Sequence, residues 1–276
     1  MPKFIVGARL HDYGKGSPDE LFGRVAADGF AAVQLAYKKC VPSVRSYADV
    51  TDALVAETVA AEKAHSIQVA VLGTYVELAI NDESRLKNAA DFKSQLAVCK
   101  ALGAGCIGTE TTAMSKQPAG TTREEAQKLL CRSLADILPA AEALGVTVAV
   151  EPVTYHSMNS AAATRHILDT MRSPNLKVIF DMSNLVDAGN VGAQDRIWND
   201  VGELLGDQIV AVHFKGQAFA PDGGLLHTSL EDSLTDYAGA FAMLRQLPQD
   251  ALPVLREEAV PARAASDIAF MRGFFA

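Results

Sequence analysis

The sequence predicts an α/β protein of the (β/α)8 barrel class, built as one domain over residues 1–276. Three observations predict it. Short branched-apolar segments alternate eight times with longer helix-like segments, the mark of parallel strands joined by helical crossovers. No composition break divides the 276 residues, an ordinary length for one such barrel. Four of the strands carry a carboxylate or an imidazole at or near their C-terminal ends, the face where these barrels keep their chemistry. An open doubly wound sheet is the runner-up, but the chain has neither G-x-G-x-x-G nor a P-loop.

The elements follow in chain order. Lys3 to Leu10 reads as the first strand, and Ser17-Pro18 with Asp19 and Glu20 starts a helix that runs to about Gly29. Phe30 to Tyr37 is the second strand and Val50 to His65 an alanine-rich helix. A third strand and its loop occupy Ile67 to Leu78, after which Glu83 to Leu102 has helical periodicity and stops at Gly103. Cys106 to Thr109 is the fourth strand. Thr122 then caps a helix through Leu144, with Glu125 completing a capping-box pattern.

The stretch Val146 to His156 organises the rest. Val146, Val148 and Val150 alternate with Thr147, Ala149 and Glu151, so the strand sends its valines to one side and delivers a carboxylate at its end. Pro152, with no N–H for a ladder, closes it. A helix over Ser160 to Met171 leads to strand six at Val178 to Asp181, and a helix over Arg196 to Leu205 leads to strand seven at Ile209 to Lys215. The Gly- and Pro-rich stretch QAFAPDGGLLHTS reads as a loop before the helix Asp236 to Leu247. Pro253 to Glu257 is strand eight and Ala264 to Phe275 the closing helix.

Composition narrows the function. No apolar run approaches the roughly 20 residues that span a bilayer, and the N-terminus MPKFIVGARL lacks the long apolar core and cleavage site of a leader, so a cytoplasmic protein is expected. A net charge of −8 without a basic run argues against a nucleic-acid partner and for a small-molecule substrate. Cys40, Cys99, Cys106 and Cys131 form no C-x-x-C pair and read as reduced core residues. A homodimer through mouth loops or outer helices is the assembly to test.

Strand parity selects the candidate site. Glu151 shares its side with Ala149, Asp181 with Ile179, and His213 with Ala211 and Lys215, while the valines and phenylalanines face the helices. On strand eight Glu257 goes with Leu255, although a bulge would exchange it for Glu258. Three carboxylates with one imidazole form a donor set suited to Mn²⁺, Mg²⁺, Co²⁺ or Zn²⁺. Glu110, Tyr75, His11 and Gln34 are candidates for the pocket rim, and Lys215 is placed to hold a substrate oxygen or neutralise Glu257. His227 falls in the Gly-rich loop, His65 and His166 on helices, and Trp198 on a helix as a core residue.

The segments AVEPVTYH, VIFDMSNL, VAVHFKG and LPVLREE resemble the metal-site strands of the sugar phosphate isomerase/epimerase family, the xylose isomerase-like barrels that include ketose 3-epimerases. The resemblance implies one divalent ion bound by Glu151, Asp181, His213 and Glu257, with the two glutamates also serving as acid and base. It further implies that His156 lies near the substrate oxygens, and it brings Asn184 into the substrate pocket. Asn184 stands where ketose 3-epimerases have a histidine, and Phe219 and Ala220 stand where they have an arginine, which counts against ketose 3-epimerisation.

The expected activity is therefore isomerisation or epimerisation of a sugar or small hydroxy-carbonyl compound, by proton transfer through a metal-stabilised enediolate. A dehydratase of an inosose or dehydroshikimate type is the alternative, since it begins with the same proton abstraction. A barrel endonuclease would need a trinuclear zinc cluster with more histidines than the six present. A metal-free binding protein is the remaining class.

Overall fold

The computed structural model describes all 276 residues. Eight parallel strands close into a barrel: β1 (Lys3–Arg9), β2 (Ala32–Leu35), β3 (Gln68–Gly73), β4 (Cys106–Glu110), β5 (Val148–Glu151), β6 (Leu176–Asp181), β7 (Ile209–Phe214) and β10 (Ala251–Arg256). Between the last two strands lies an antiparallel hairpin of β8 (Gly216–Phe219) and β9 (Leu225–Thr228). No helix is long and apolar enough to cross a membrane.

Parity divides the apolar residues into two layers. Ala149, Ile179, Ala211 and Leu255 pack with Ala32, Ala70, Val71 and Cys106 inside the barrel, and the alternate valines and phenylalanines pack against the helices. The interior is tight: a Cβ on Gly7 would lie 2.4 Å from Leu255 Cδ2, and one on Gly108 2.5 Å from Ile179 Cδ1. Glycine at these two strand positions makes room for the branched side chains opposite. Side chains therefore fill the barrel's centre, and polar groups are left to its C-terminal mouth.

The local signals at helix ends hold. Ser17 accepts from Glu20 N–H and Thr122 from Glu125 N–H, each with the reciprocal capping-box bond, and Gly103 ends its helix in the left-handed region. All four cysteines are free thiols. Trp198 is buried edge-on against Phe180, His65 bonds Asp19 at 2.8 Å, and His166 is exposed.

Some boundaries differ from the sequence reading. Where helical periodicity predicts one helix from Glu83 to Leu102, the structure has two, Asp82–Ser94 and Leu96–Leu102. Its joint is Gln95, whose buried side chain reaches the Tyr47 carbonyl at 3.3 Å. Strand two is shorter than Phe30 to Tyr37, because Tyr37–Cys40 coils into a helical turn. The stretch QAFAPDGGLLHTS is the β8–β9 hairpin and not an open loop. Ala220 and Gly224 close its turn with Gly223 at φ 85°, and His227 lies exposed on β9.

Candidate functional site

The tips of β5, β6 and β7 bring Glu151, Asp181 and His213 together, with one ligating atom from each within 4.8 Å of the others. All three are buried. Asp181 is oriented by its own turn: Oδ1 accepts the backbone N–H groups of Ser183 at 2.8 Å and Asn184 at 3.0 Å, which leaves Oδ2 facing the site. Asn184 donates its side-chain amide to Glu151 Oε1 at 2.5 Å. His213 Nδ1 lies 3.0 Å from Glu151 Oε2 and 3.4 Å from Glu257 Oε1.

Glu257 lies one residue past β10, and its N–H donates to the Phe214 carbonyl, which carries the strand register forward. Its carboxylate is buried in the site, whereas Glu258 adopts φ 56° and turns out to Arg9 at 2.9 Å. The left-handed residue therefore follows Glu257, and the alternation from Leu255 to Glu257 survives. Arg256 points away from the mouth, pairs with Asp267 of the closing helix at 2.8 Å and donates to the Glu257 carbonyl. Arg9, which the sequence reading did not single out, bonds Asp12 at 2.7 Å and lies 3.9 Å from Glu257 Oε1. Its signal was its place at the end of β1.

Lys215 follows β7, with its ammonium 2.9 Å from Asp181 Oδ2 and 3.6 Å from Glu257 Oε2. Its carbonyl accepts from Ser183 Oγ at 2.7 Å and Tyr237 OH at 2.8 Å, so the backbone there is fixed from two sides. Glu110, at the end of β4, and His156 face each other across 3.9 Å. The His156 carbonyl accepts from Arg123. Tyr75, in the left-handed region at φ 52°, accepts from Gln34 Nε2 at 2.8 Å, and His11 meets its ring edge-on at 5.7 Å. Gln34, Tyr75, Glu110, Glu151, His213 and Glu257 line one pocket at the mouth.

The charges in this pocket shift one another. Burial raises Glu151, and this outweighs the opposing pull of His213. Burial also pushes Glu257 up, but His213, Lys215 and Arg9 outweigh it and hold the carboxyl at about 2. His213 stands at about 9, because Glu257 and Glu151 overcome the burial that would lower it. Burial and the charge on Glu151 push Glu110 up to about 7. Burial, with Lys116 and Arg123, lowers His156 to about 4.

A divalent ion fits this donor set. Asp181 Oδ2 and both ring nitrogens of His213 are buried without an aligned hydrogen bond, although Lys215 and Glu151 stand at ion-pair distance. Such orphaned buried donors are costly unless a cation engages them.

Comparison with solved structures places the fold. The 3-keto-D-glucoside 4-epimerase YcjR from E. coli superposes with a TM-score of 0.72 at 17% identity, covering 98% of this chain and 100% of the other. The D-allulose 3-epimerase from Methylomonas sp. gives 0.72 at 15% identity, covering 99% of each chain. The IOLI protein, solved with a binding zinc atom, gives 0.75 at 16% identity, covering 99% of this chain and 96% of its own. A search of curated proteins finds no match. The xylose isomerase-like TIM barrel model matches residues 22–273. With its closed barrel and the match over nearly its whole length, the chain belongs to the xylose isomerase-like TIM barrel family.

Proposed function

We propose that the chain is a divalent-metal-dependent isomerase or epimerase of a sugar or small hydroxy-carbonyl compound. The observation that carries this reading is the convergence of Glu151, Asp181 and His213 within 4.8 Å, with the Glu257 carboxylate 3.4 Å from the same imidazole. Glu151, Asp181, His213 and Glu257 hold one Mn²⁺, Mg²⁺, Co²⁺ or Zn²⁺. Bound there, the ion supplies Lewis-acid polarisation of a carbonyl and its neighbouring hydroxyl.

Glu151 and Glu257 are the groups that move protons. Their oxygens flank His213 from two strands, so one carboxylate takes a proton from a substrate carbon and the other returns one. Asn184 fixes Glu151 by holding Oε1, which leaves Oε2 on the site side. Lys215, aimed between Asp181 and Glu257, stabilises negative charge on a substrate oxygen. His156, Glu110 and Tyr75 complete the substrate wall. The neighbouring epimerases support the reading as relatives of the same fold.

One observation favours a second reading. Glu110 stands at the pocket rim, where burial and the charge on Glu151 raise its pKa, and a carboxyl so placed suits protonation of a departing hydroxyl, as a dehydratase needs. Incubating the Mn²⁺-loaded protein with ketoses in heavy water separates the two. Deuterium retained at a substrate carbon supports isomerisation, and loss of water with a new conjugated absorbance supports the lyase. Failure to bind any divalent ion stoichiometrically sinks both.

A further inference from the structure

We propose that Lys39, with Tyr75 and Gln34, forms an anion-binding subsite across the pocket from the metal ligands, so that the substrate is a sugar acid whose carboxylate is held by the Lys39 ammonium. This rests on the sugar-transforming site proposed above. The barrel order puts β1 to β3 opposite β5 to β7. A molecule chelated at Glu151 and His213 therefore extends toward Gln34 and Tyr75, which line the same pocket.

Lys39 lies on the helical turn after β2, and its Nζ stands 3.4 Å from the centroid of the Tyr75 ring. The other cations near the mouth are already engaged. Arg9 is held by Asp12 and Glu258 and Lys116 by Glu77, while Lys215 stands on the metal-ligand side beside Asp181 and Glu257. Arg123 donates to the His156 carbonyl. Lys39 has a π face beneath it and no carboxylate at ion-pair distance. Lys39 is exposed at the rim, where burial of part of the side chain and the Arg9 charge lower its pKa against the pull of Glu110 and Glu257. An incoming carboxylate supplies the missing counter-charge.

The Tyr75 platform carries local backbone strain. Tyr75 adopts φ 52°, a region that side-chain-bearing residues seldom enter. Gly73 lacks the Cβ that would come within 3.2 Å of Tyr75 Cε2 and 3.3 Å of Gln34 Nε2. Gln34 is 4% exposed, and while its Nε2 is committed to Tyr75, its Oε1 has no partner. That oxygen accepts from a hydroxyl adjacent to the carboxylate. The combination of an unpaired cation and an orphaned acceptor matches a hydroxy acid terminus better than a neutral hydroxymethyl group.

The test compares D-fructuronate with D-fructose, which differ by a carboxylate in place of a terminal hydroxymethyl group, in calorimetric titrations of the Mn²⁺-loaded protein. Fructuronate is expected to bind at least ~10-fold more tightly, the ratio to fall near one in Lys39→Met, and Lys39→Arg to retain most of it. Equal affinities in the unaltered protein, a preference that survives Lys39→Met, or binding of neither sugar overturns the subsite. Mn²⁺ affinity is measured separately in each preparation. Loss of Mn²⁺ binding by the unaltered protein defeats the metal reading, and a fructuronate preference persisting there leaves the subsite standing.

Discussion

Asn184 ties two candidate ligands together: its side-chain amide donates to Glu151 Oε1 at 2.5 Å while its backbone N–H donates to Asp181 Oδ1 at 3.0 Å. Removing the amide frees Glu151 to rotate without touching any ligand. Asn184→Ala is expected to weaken Mn²⁺ binding by about 10-fold, the low end for loss of a bond that orients a metal ligand. Titration followed by the electron paramagnetic resonance of free Mn²⁺ reads it directly, and unchanged affinity would refute the orienting role.

Glu257 and Glu258 are adjacent, yet only one faces the site. Glu257→Gln is expected to weaken Mn²⁺ binding strongly, and Glu258→Gln, which loses the pairing with Arg9 on a partly exposed side chain, to leave it within a few-fold. The reverse order in the same titration would show that Glu258 and not Glu257 reaches the ion.

Arg256 and Asp267 form a buried pair, each under 4% exposed, behind the Glu257 backbone. Arg256→Met removes the hydrogen-bonded partner of a buried carboxylate, leaving only Arg263 at 3.7 Å, and is expected to cost about 3 kcal/mol in urea unfolding, whereas Arg256→Met with Asp267→Leu recovers most of that loss. A double variant as unstable as the single one would mean that packing and not charge sets the cost.

His156 gives a pH signature. Its pKa falls from 6.5 to about 4 on folding, so the folded state favours the neutral ring. The contribution is present above 6.5 and is lost as pH falls through 4. The ring is buried, and the loss between pH 7.5 and 4.5 should be about 2 kcal/mol. His156→Gln should flatten that part of the stability curve, as read by urea midpoints at the two pH values. A parallel curve would place the acid sensitivity elsewhere.

Much of this was legible in the chain. Strand parity put Glu151, Asp181 and His213 on the side of Ala149, Ile179 and Ala211, and those three apolar residues do line the barrel interior. The hairpin after β7 was not legible, because QAFAPDGGLLHTS has the composition of a loop and pairs only through a turn closed by Gly223. Gln95 likewise has ordinary helix propensity, and its break in the helix comes from a distant carbonyl on Tyr47.

The sequence by itself determined the barrel and the strand tips that carry donors, because period-two alternation and helix caps are local properties that each segment encodes within a few residues. Tertiary structure alone decided that Glu257 and not Glu258 enters the mouth, that Arg256 and Asp267 meet behind it, and that Lys39 lies over Tyr75. Glu257 and Glu258 part at a left-handed residue past β10, Arg256 meets Asp267 on the helix that follows, and Lys39 and Tyr75 come from just past the ends of the neighbouring strands β2 and β3. Each contact depends on how separate elements pack against one another, which no single stretch of a few residues encodes.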